Sequence, residues 1–307
     1  MAWKPQRQIE IIAGTPPGGG LDRTARALLA AIAANRLVDV PVEVVNVGGD
    51  GGRKAWAHIE RYRGNGHVVG ISSPNMAADY LTGVTKSDPA RFAPLAILYS
   101  EYIAFVVRAD GAIRDGGDLL RRLAEDASAV KIALSTSLGN SNHVAVAKVI
   151  RHAGGETRAP VIRVFDTALD AVADVVAGHA DVGAITAASA VAELDAGRLR
   201  TIGLSAPARL AGPYAAAPTW SEQGVDCVIG SWRGVSGPQD LGPGEIAFWQ
   251  ATLAAATRSA EWRSDLARYF WTPMYLDGEE LREYLRRERG DMRAVLSELG
   301  LLSDGGG

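Results

Sequence analysis

The chain has 307 residues with 35 Gly, 14 Pro, 47% hydrophobic and 22% charged residues, the usage of a globular protein and not of a disordered, fibrous or disulfide-stapled one. Single cores stop growing near roughly 250–300 residues, so two domains are expected. A formal charge of −3 offers no basic field and excludes a nucleic-acid partner. No apolar run reaches the roughly 18 residues of a membrane helix, so direct membrane insertion is excluded as well. The one cysteine, Cys227, rules out an internal disulfide and any cysteine-built metal site.

In chain order, one pattern repeats: a short apolar run, a patch of glycine and small polar residues, then apolar residues at helical spacing. Ile9 to Ala13 reads as a strand that leads through Gly14-Thr15-Pro16-Pro17-Gly18-Gly19-Gly20-Leu21-Asp22 into a helix with Ala25, Leu28, Leu29 and Ile32 on one face. Val42 to Val47 leads to Gly48-Gly49-Asp50-Gly51-Gly52 and then Ala55, Ile59 and Tyr62. His67 to Ile71 leads to Ser72-Ser73-Pro74-Asn75 and then Met76, Tyr80 and Leu81. Val130 to Leu134 leads to Ser135-Thr136-Ser137-Leu138-Gly139-Asn140-Ser141-Asn142 and then Val144, Ala147, Lys148 and Val149. Val161 to Phe165 leads to Asp166-Thr167 and then Leu169, Val172, Val175 and Val176. The tail Ser303-Asp304-Gly305-Gly306-Gly307 is expected to carry no element.

Alternating strands and helices predict an α/β fold with a mainly parallel sheet covered by helices on both faces. Such a sheet places ligands at the carboxyl ends of its strands, where all five loops lie. Helices that begin there present backbone N–H groups and the positive end of a dipole, a geometry that takes carboxylate or phosphate without lysine or arginine. A small anion is therefore the expected ligand.

No nucleotide cofactor is expected. Gly18-Gly19-Gly20 lacks the Gly-Lys-Ser/Thr of a triphosphate loop, Arg23 stands where a dinucleotide fingerprint needs its third glycine, and the next strand ends in Asn46 and not an acid. The alternative for this segment is a plain tight turn. Catalytic signatures are also scarce, with no pair of histidines at metal spacing, no Gly-x-Ser-x-Gly elbow and no lysine in an apolar setting. Neither a metal nor any other cofactor is expected. His143, beside Ser141 and Asn142 at a loop-to-helix junction, is the one candidate acid or base. The competing reading has Ser141 or Asn142 capping the helix and His143 packing or donating one hydrogen bond. Thr167 with Asp170 reads as a capping box, which leaves Asp166 to complement the dipole.

Taken together, these motifs resemble a known family. Pro16-Pro17-Gly18-Gly19-Gly20-Leu21-Asp22 with Ala25-Arg26 is similar to the Pro-Gly-Gly-Gly-x-Asp-x-x-Ala-Arg opening of the Bug/TctC proteins, the extracytoplasmic solute receptors of tripartite tricarboxylate transporters. Asn46 to Gly52, Gly139 to Ala145, Thr167 with Gly178 to Val182, Gly197 to Arg200 and Pro218 to Val225 resemble further segments of that family in order, over roughly residues 8 to 300.

The resemblance implies a two-lobed periplasmic-binding-protein fold that closes on its ligand like a flytrap. Lobe one would comprise 1–107 plus 235–307 and lobe two 108–234, each a mainly parallel sheet flanked by helices. It also implies binding of a small carboxylate, with membrane transporter subunits as partners. The residues it points to are Pro17, Gly18, Gly19, Gly20, Asp22, Gly49, Gly51, Gly52, Arg53, Ser72 and Asn75 in lobe one. In lobe two they are Ser137, Asn140, Ser141, His143, Phe165, Asp166 and Thr167.

Departures from the family pattern bear on the solute. Phe165 and Asp166 stand where many relatives have a polar residue and glycine, and Arg53 where they commonly carry Asn. These residues favour a monocarboxylate or an aromatic carboxylate over citrate. The start Met1-Ala2-Trp3-Lys4-Pro5 carries no apolar leader, so the expected location is periplasmic if a leader was removed and cytoplasmic if Met1 is the native start. A cytosolic isomerase or hydrolase of a small carboxylate, using His143 with Ser141, Asp166 or Asp22, is the alternative function.

Overall fold

A computed structural model of the chain describes residues 3–303; Met1, Ala2 and all but Ser303 of the expected tail lie outside the described residues. The chain divides into two compact units, one comprising the chain up to Ser100 with Trp232–Arg293, the other Glu101–Ser231 with the chain from Ala294 onward. The described elements are, in order, β1 (Ile9–Ala13), α1 (Gly20–Ala34), β2 (Val42–Asn46), α2 (Arg53–Ile59), β3 (Val68–Ser72), α3 (Asn75–Leu81), β4 (Ala93–Arg108), α4 (Gly116–Asp126), β5 (Lys131–Ser135), α5 (Ser141–His152), β6 (Val161–Phe165), α6 (Ala168–Val176), β7 (Val182–Thr186), α7 (Val191–Asp195), β8 (Leu199–Leu204), β9 (Gly230–Gly237), α8 (Pro243–Thr257), α9 (Ala260–Arg268), β10 (Thr272–Asp277) and α10 (Gly278–Glu298).

In the first unit the strands run in the order β2-β1-β3-β9-β4, with β10 also on β4. The β1–β2 and β1–β3 pairs are parallel, as strand-helix-strand crossovers require. The β3–β9 and β4–β10 pairs are antiparallel. α1 buries Ala25, Leu28, Ala31 and Ile32 against this sheet's core, and Leu29, assigned to that face by spacing, is half-buried. Fully burying one such leucine or isoleucine is worth roughly 1.5–3 kcal/mol. The same core holds Trp249, Trp262 and Trp271, the last stacked on Tyr99 with centroids 4.1 Å apart.

In the second unit β5 pairs in parallel with both β6 and β7, while β4 pairs antiparallel with β7 and β8. α5 and α6 bury Val146, Val149, Val172 and Val175, but Leu169 of the expected α6 face is 45% exposed. Cys227 is buried in this core, its thiol directed at the Ala145 carbonyl at 3.7 Å and pushed by burial up to about 12.

Two expectations differ from this arrangement. Both sheets are mixed, because β9 pairs antiparallel with β3, and β4 pairs antiparallel with β7, β8 and β10. The division between units falls inside β4 and at the start of β9, ahead of the boundaries at 107/108 and 234/235, and the end of α10 counts with the second unit. β4 is buried almost throughout and carries no glycine or proline at Ser100 to signal a turn, and α10 is tied at its end to α5 by the Arg151–Glu298 ion pair. No helix among the described residues is long and apolar enough to cross a membrane.

Candidate functional site

The first unit gathers three loops at the carboxyl ends of β1, β2 and β3. Between β1 and α1 the chain turns at Gly18 (φ +84°) and enters the helix through extended Gly19, which has no side chain to cap it. Asp22, 1% exposed, holds this loop: its carboxylate accepts the Gly18 amide (2.8 Å), the Asn46 side-chain amide (2.8 Å) and Arg26 Nε (3.0 Å). Asn46 Nδ2 also donates to the Thr15 carbonyl at 2.8 Å, and the Asp22 amide donates to Thr15 Oγ1 at 3.1 Å. Burial pushes the Asp22 carboxyl up, but Arg26, Gly18 and Asn46 together outweigh it and hold the group below its usual range. Asp22 is thus occupied within the loop and shapes it, while the amides of Gly20 and Leu21 are the helix-start donors without a partner among the described residues.

The second glycine loop lies against the first. A Cβ on Gly14 would stand 3.2 Å from Gly52 Cα, and one on Gly48 3.1 Å from Pro16 Cδ. Side chains at either position would push the two loops apart. From Gly49 to Gly52 four consecutive residues have positive φ (111°, 52°, 63° and 97°), a path that only glycine follows freely, Asp50 being the one tolerated exception. α2 then starts without a side-chain cap.

Gly51, Gly52, Arg53 and Asn75 share a cavity of about 60 Å³ with Trp56, Ser73 and Asp79, and Arg53 Nη1 lies 3.3 Å from the buried Asp79 carboxylate. Ser72, chosen from the sequence, is paired in register with Gly234 of β9, and its neighbour Ser73 is the residue that lines the cavity. Pro17 is exposed at the tip of the first loop.

The second unit presents its own loops differently. Asn140, and neither Ser141 nor Asn142, caps α5: its Oδ1 accepts the His143 amide at 3.1 Å while its Nδ2 donates to the Ser135 carbonyl (2.6 Å) and Thr136 Oγ1 (2.7 Å). Asn142 Nδ2 donates to Ser135 Oγ at 3.1 Å. Thr167 caps α6 through the Asp170 amide at 3.1 Å, and its hydroxyl also donates to the Asp170 carboxylate at 2.6 Å. Of the five loops, the three that open α1, α2 and α3 start their helices without a side-chain cap. Ser137 is buried with no hydrogen-bond partner on its Oγ, and Ser141, four residues on, is buried as well.

His143 Nδ1 accepts the Gly139 amide at 3.0 Å, which leaves the ring proton on Nε2. Burial pushes the imidazole down to about 4. At neutral pH it is an uncharged N–H donor, mismatched to acid–base catalysis, for which the group should titrate near the working pH. Phe165 is half-buried with the Arg163 guanidinium 5.7 Å from its ring centre, so one face is occupied by a cation; Asp166 is exposed.

No family model matches the chain, and no curated protein does either. Among solved structures, a ligand-free TctC solute-binding protein from Polaromonas is 25% identical, with 96% of this chain and 99% of that one aligned at a TM-score of 0.69. Over nearly its full length the chain is similar to this TctC solute-binding protein. The periplasmic binding protein BugD aligns over 97% of this chain and 99% of its own with a TM-score of 0.84 at 16% identity. An R. palustris protein with adipate aligns over 96% and 98%, with a TM-score of 0.87 at 20% identity. MatC from Rhodopseudomonas palustris, with bound malate, gives 95%, 99%, 0.80 and 19%.

The sequence motifs locate the loops and miss two things about them. Ser73, Trp56 and Asp79 escape notice because cavity lining depends on how α2 and α3 pack, although Ser73 sits inside a loop already singled out. The inward role of Asp22 is signalled only by its place one turn before Arg26, an i,i+4 pair that spacing alone could have raised.

Proposed function

We propose that the chain is the solute receptor of a tripartite tricarboxylate-type transporter, and that it binds a small organic carboxylate. The observation that carries this is the apposition of the two glycine loops in the first unit, with Gly14 against Gly52 and Gly48 against Pro16. Side chains are absent where an anion would approach, and the uncapped start of α1 offers the Gly20 and Leu21 amides. A carboxylate fits such a cradle because amide dipoles and the helix start neutralise it without a buried cation. Neighbours of the same fold hold malate and adipate, both carboxylates. The assignment of Gly18, Gly19, Gly20, Gly49, Gly51 and Gly52 as the carboxylate grip, a periplasmic location, and membrane subunits as partners belong to the same proposal. The neutral His143 favours binding over turnover. Calorimetric titration with malate, adipate, benzoate and related acids tests this, followed by NMR of the recovered solute. The expected result is at least one acid bound and returned unchanged; no binding by any acid, or conversion of a bound one, would overturn it.

A further inference from the structure

The first unit holds a second recess, of about 280 Å³, between α3, the segment leading into β4, β9 and α10. Its lining lies within residues 73–94 and 232–289, all of that one unit. The volume is just below the roughly 300–1,000 Å³ of ordinary small-molecule sites. Its walls are largely apolar, formed by Met76, Phe92, Pro94, Trp232 and Leu285. Trp232 is buried and, with Leu285, packs in a small cluster around Leu281. Such walls favour an apolar ring or chain that leaves water to lie against them. No residue of either glycine loop is among the described residues that line this recess.

α10 adds the charge. Spacings of three and four residues put Arg282, Leu285, Arg286 and Arg289 on one face of the helix, and all four line the recess. Arg282 and Arg286 are exposed and share a single carboxylate, Glu279, at 2.9 and 3.6 Å, while Arg289 lies 3.5 Å from Asp88. Ion pairs this open to water contribute little and exchange readily for another anion. Two guanidinium groups against one carboxylate also leave donors in their forks for a further oxyanion. Glu288 is the one acid among the described lining residues; it accepts the Trp232 indole N–H at 2.6 Å, and burial pushes it up to about 7. At neutral pH it therefore opposes an anion with only part of a charge.

We propose that this recess is a second ligand site, for a small amphipathic anion whose apolar ring or chain lies against Trp232 and Leu285 and whose acidic group meets Arg282 and Arg286. The probe is naphthalene-2-sulfonate, which stays ionised throughout the working pH range, titrated calorimetrically into the intact chain at pH 7. It should bind one to one and at least tenfold more tightly than the uncharged naphthalene-2-sulfonamide, while methanesulfonate, which has no ring, should not bind. The double substitution Arg282→Gln with Arg286→Gln removes exposed groups, so it should leave the Tm in place and weaken the sulfonate at least tenfold. Raising salt from roughly 50 to 500 mM should weaken the sulfonate as well, because exposed charges are screened. No binding, equal binding of sulfonate and sulfonamide, or undiminished binding by the doubly substituted protein would each overturn the proposal. Should that protein lose stability, the salt series decides, and a salt-independent affinity overturns it. A short acidic peptide that binds where the sulfonate does not would make this a protein-docking face and overturn the small-anion site.

Discussion

Gly19 and Gly20 are adjacent, yet the structure separates what a side chain would do at each. At Gly19 a Cβ would lie 2.6 Å from both Cβ and Oγ1 of Thr15 and 3.1 Å from the Pro16 carbonyl, so any substitution forces the loop to open. Overpacking of this kind costs typically about 1–3 kcal/mol of stability, and Gly19→Val would lose binding for a reason that says nothing about the solute. At Gly20 no atom lies within 4 Å of a Cβ, and the backbone is outside the left-handed region. Gly20→Val should therefore leave folding within about 0.5 kcal/mol. It places a branched side chain over the open start of α1. If the carboxylate sits on the Gly20 and Leu21 amides, affinity should fall at least tenfold, about 1.4 kcal/mol. The assay is calorimetry on the best-binding acid, paired with a urea melt of both proteins. A Gly20→Val protein with wild-type stability and an unchanged Kd would refute the reasoning and remove the first loop from the grip.

Three further outcomes follow from the same geometry. Asp22→Ala leaves the Gly18 amide and the Asn46 side chain without their acceptor and should cost about 2–4 kcal/mol in urea unfolding at pH 7. Because the folded-state carboxyl is held below its unfolded value, the contribution of Asp22 is complete above the unfolded pKa near 4 and fades as pH falls through the lower folded value, so the gap between wild type and variant should narrow in acid. The imidazole of His143, held near 4 against an ordinary 6.5, should show no protonation by NMR between pH 6 and 8, and solute affinity should carry no imidazole-like step in that range; a titration near 6.5 would contradict the buried, Gly139-bonded ring. Glu288 accepts the Trp232 indole N–H at 2.6 Å and is pushed by burial up to about 7. Its raised value favours folding below the unfolded pKa and loses that contribution as pH rises through 7, so Glu288→Gln should raise Tm at pH 8 while changing it little at pH 5.

How far the fold was legible varies with what each element depends on. β6 is read from the sequence residue for residue as Val161–Phe165, and β1 as Ile9–Ala13, because short apolar runs bounded by Pro, Gly or small polar residues leave little freedom in where a strand begins and ends. β4 escaped because its sixteen residues are buried almost throughout, which erases the period-two signal, and their length exceeds that of an ordinary strand. At the site, the glycine loops were legible as loops, while their mutual contact was not: nothing in the spacing of Gly14 and Gly52 announces that a Cβ on one would meet the other. His143 was legible as a residue at a helix start. Its protonation was not, since that depends on burial by parts of the chain remote in sequence and on which nitrogen meets the Gly139 amide.

The buried state of Cys227 has a practical consequence for following this molecule in solution. A thiol that ionises only near 12 is not a nucleophile at neutral pH, so maleimides and disulfide reagents pass it by. The native chain is in effect already cysteine-free to such reagents. A cysteine introduced at an exposed position, Pro17 at the tip of the first glycine loop for instance, becomes a unique attachment point for a fluorophore or spin label without any background substitution. Solute arrival can then be timed in an otherwise unaltered protein.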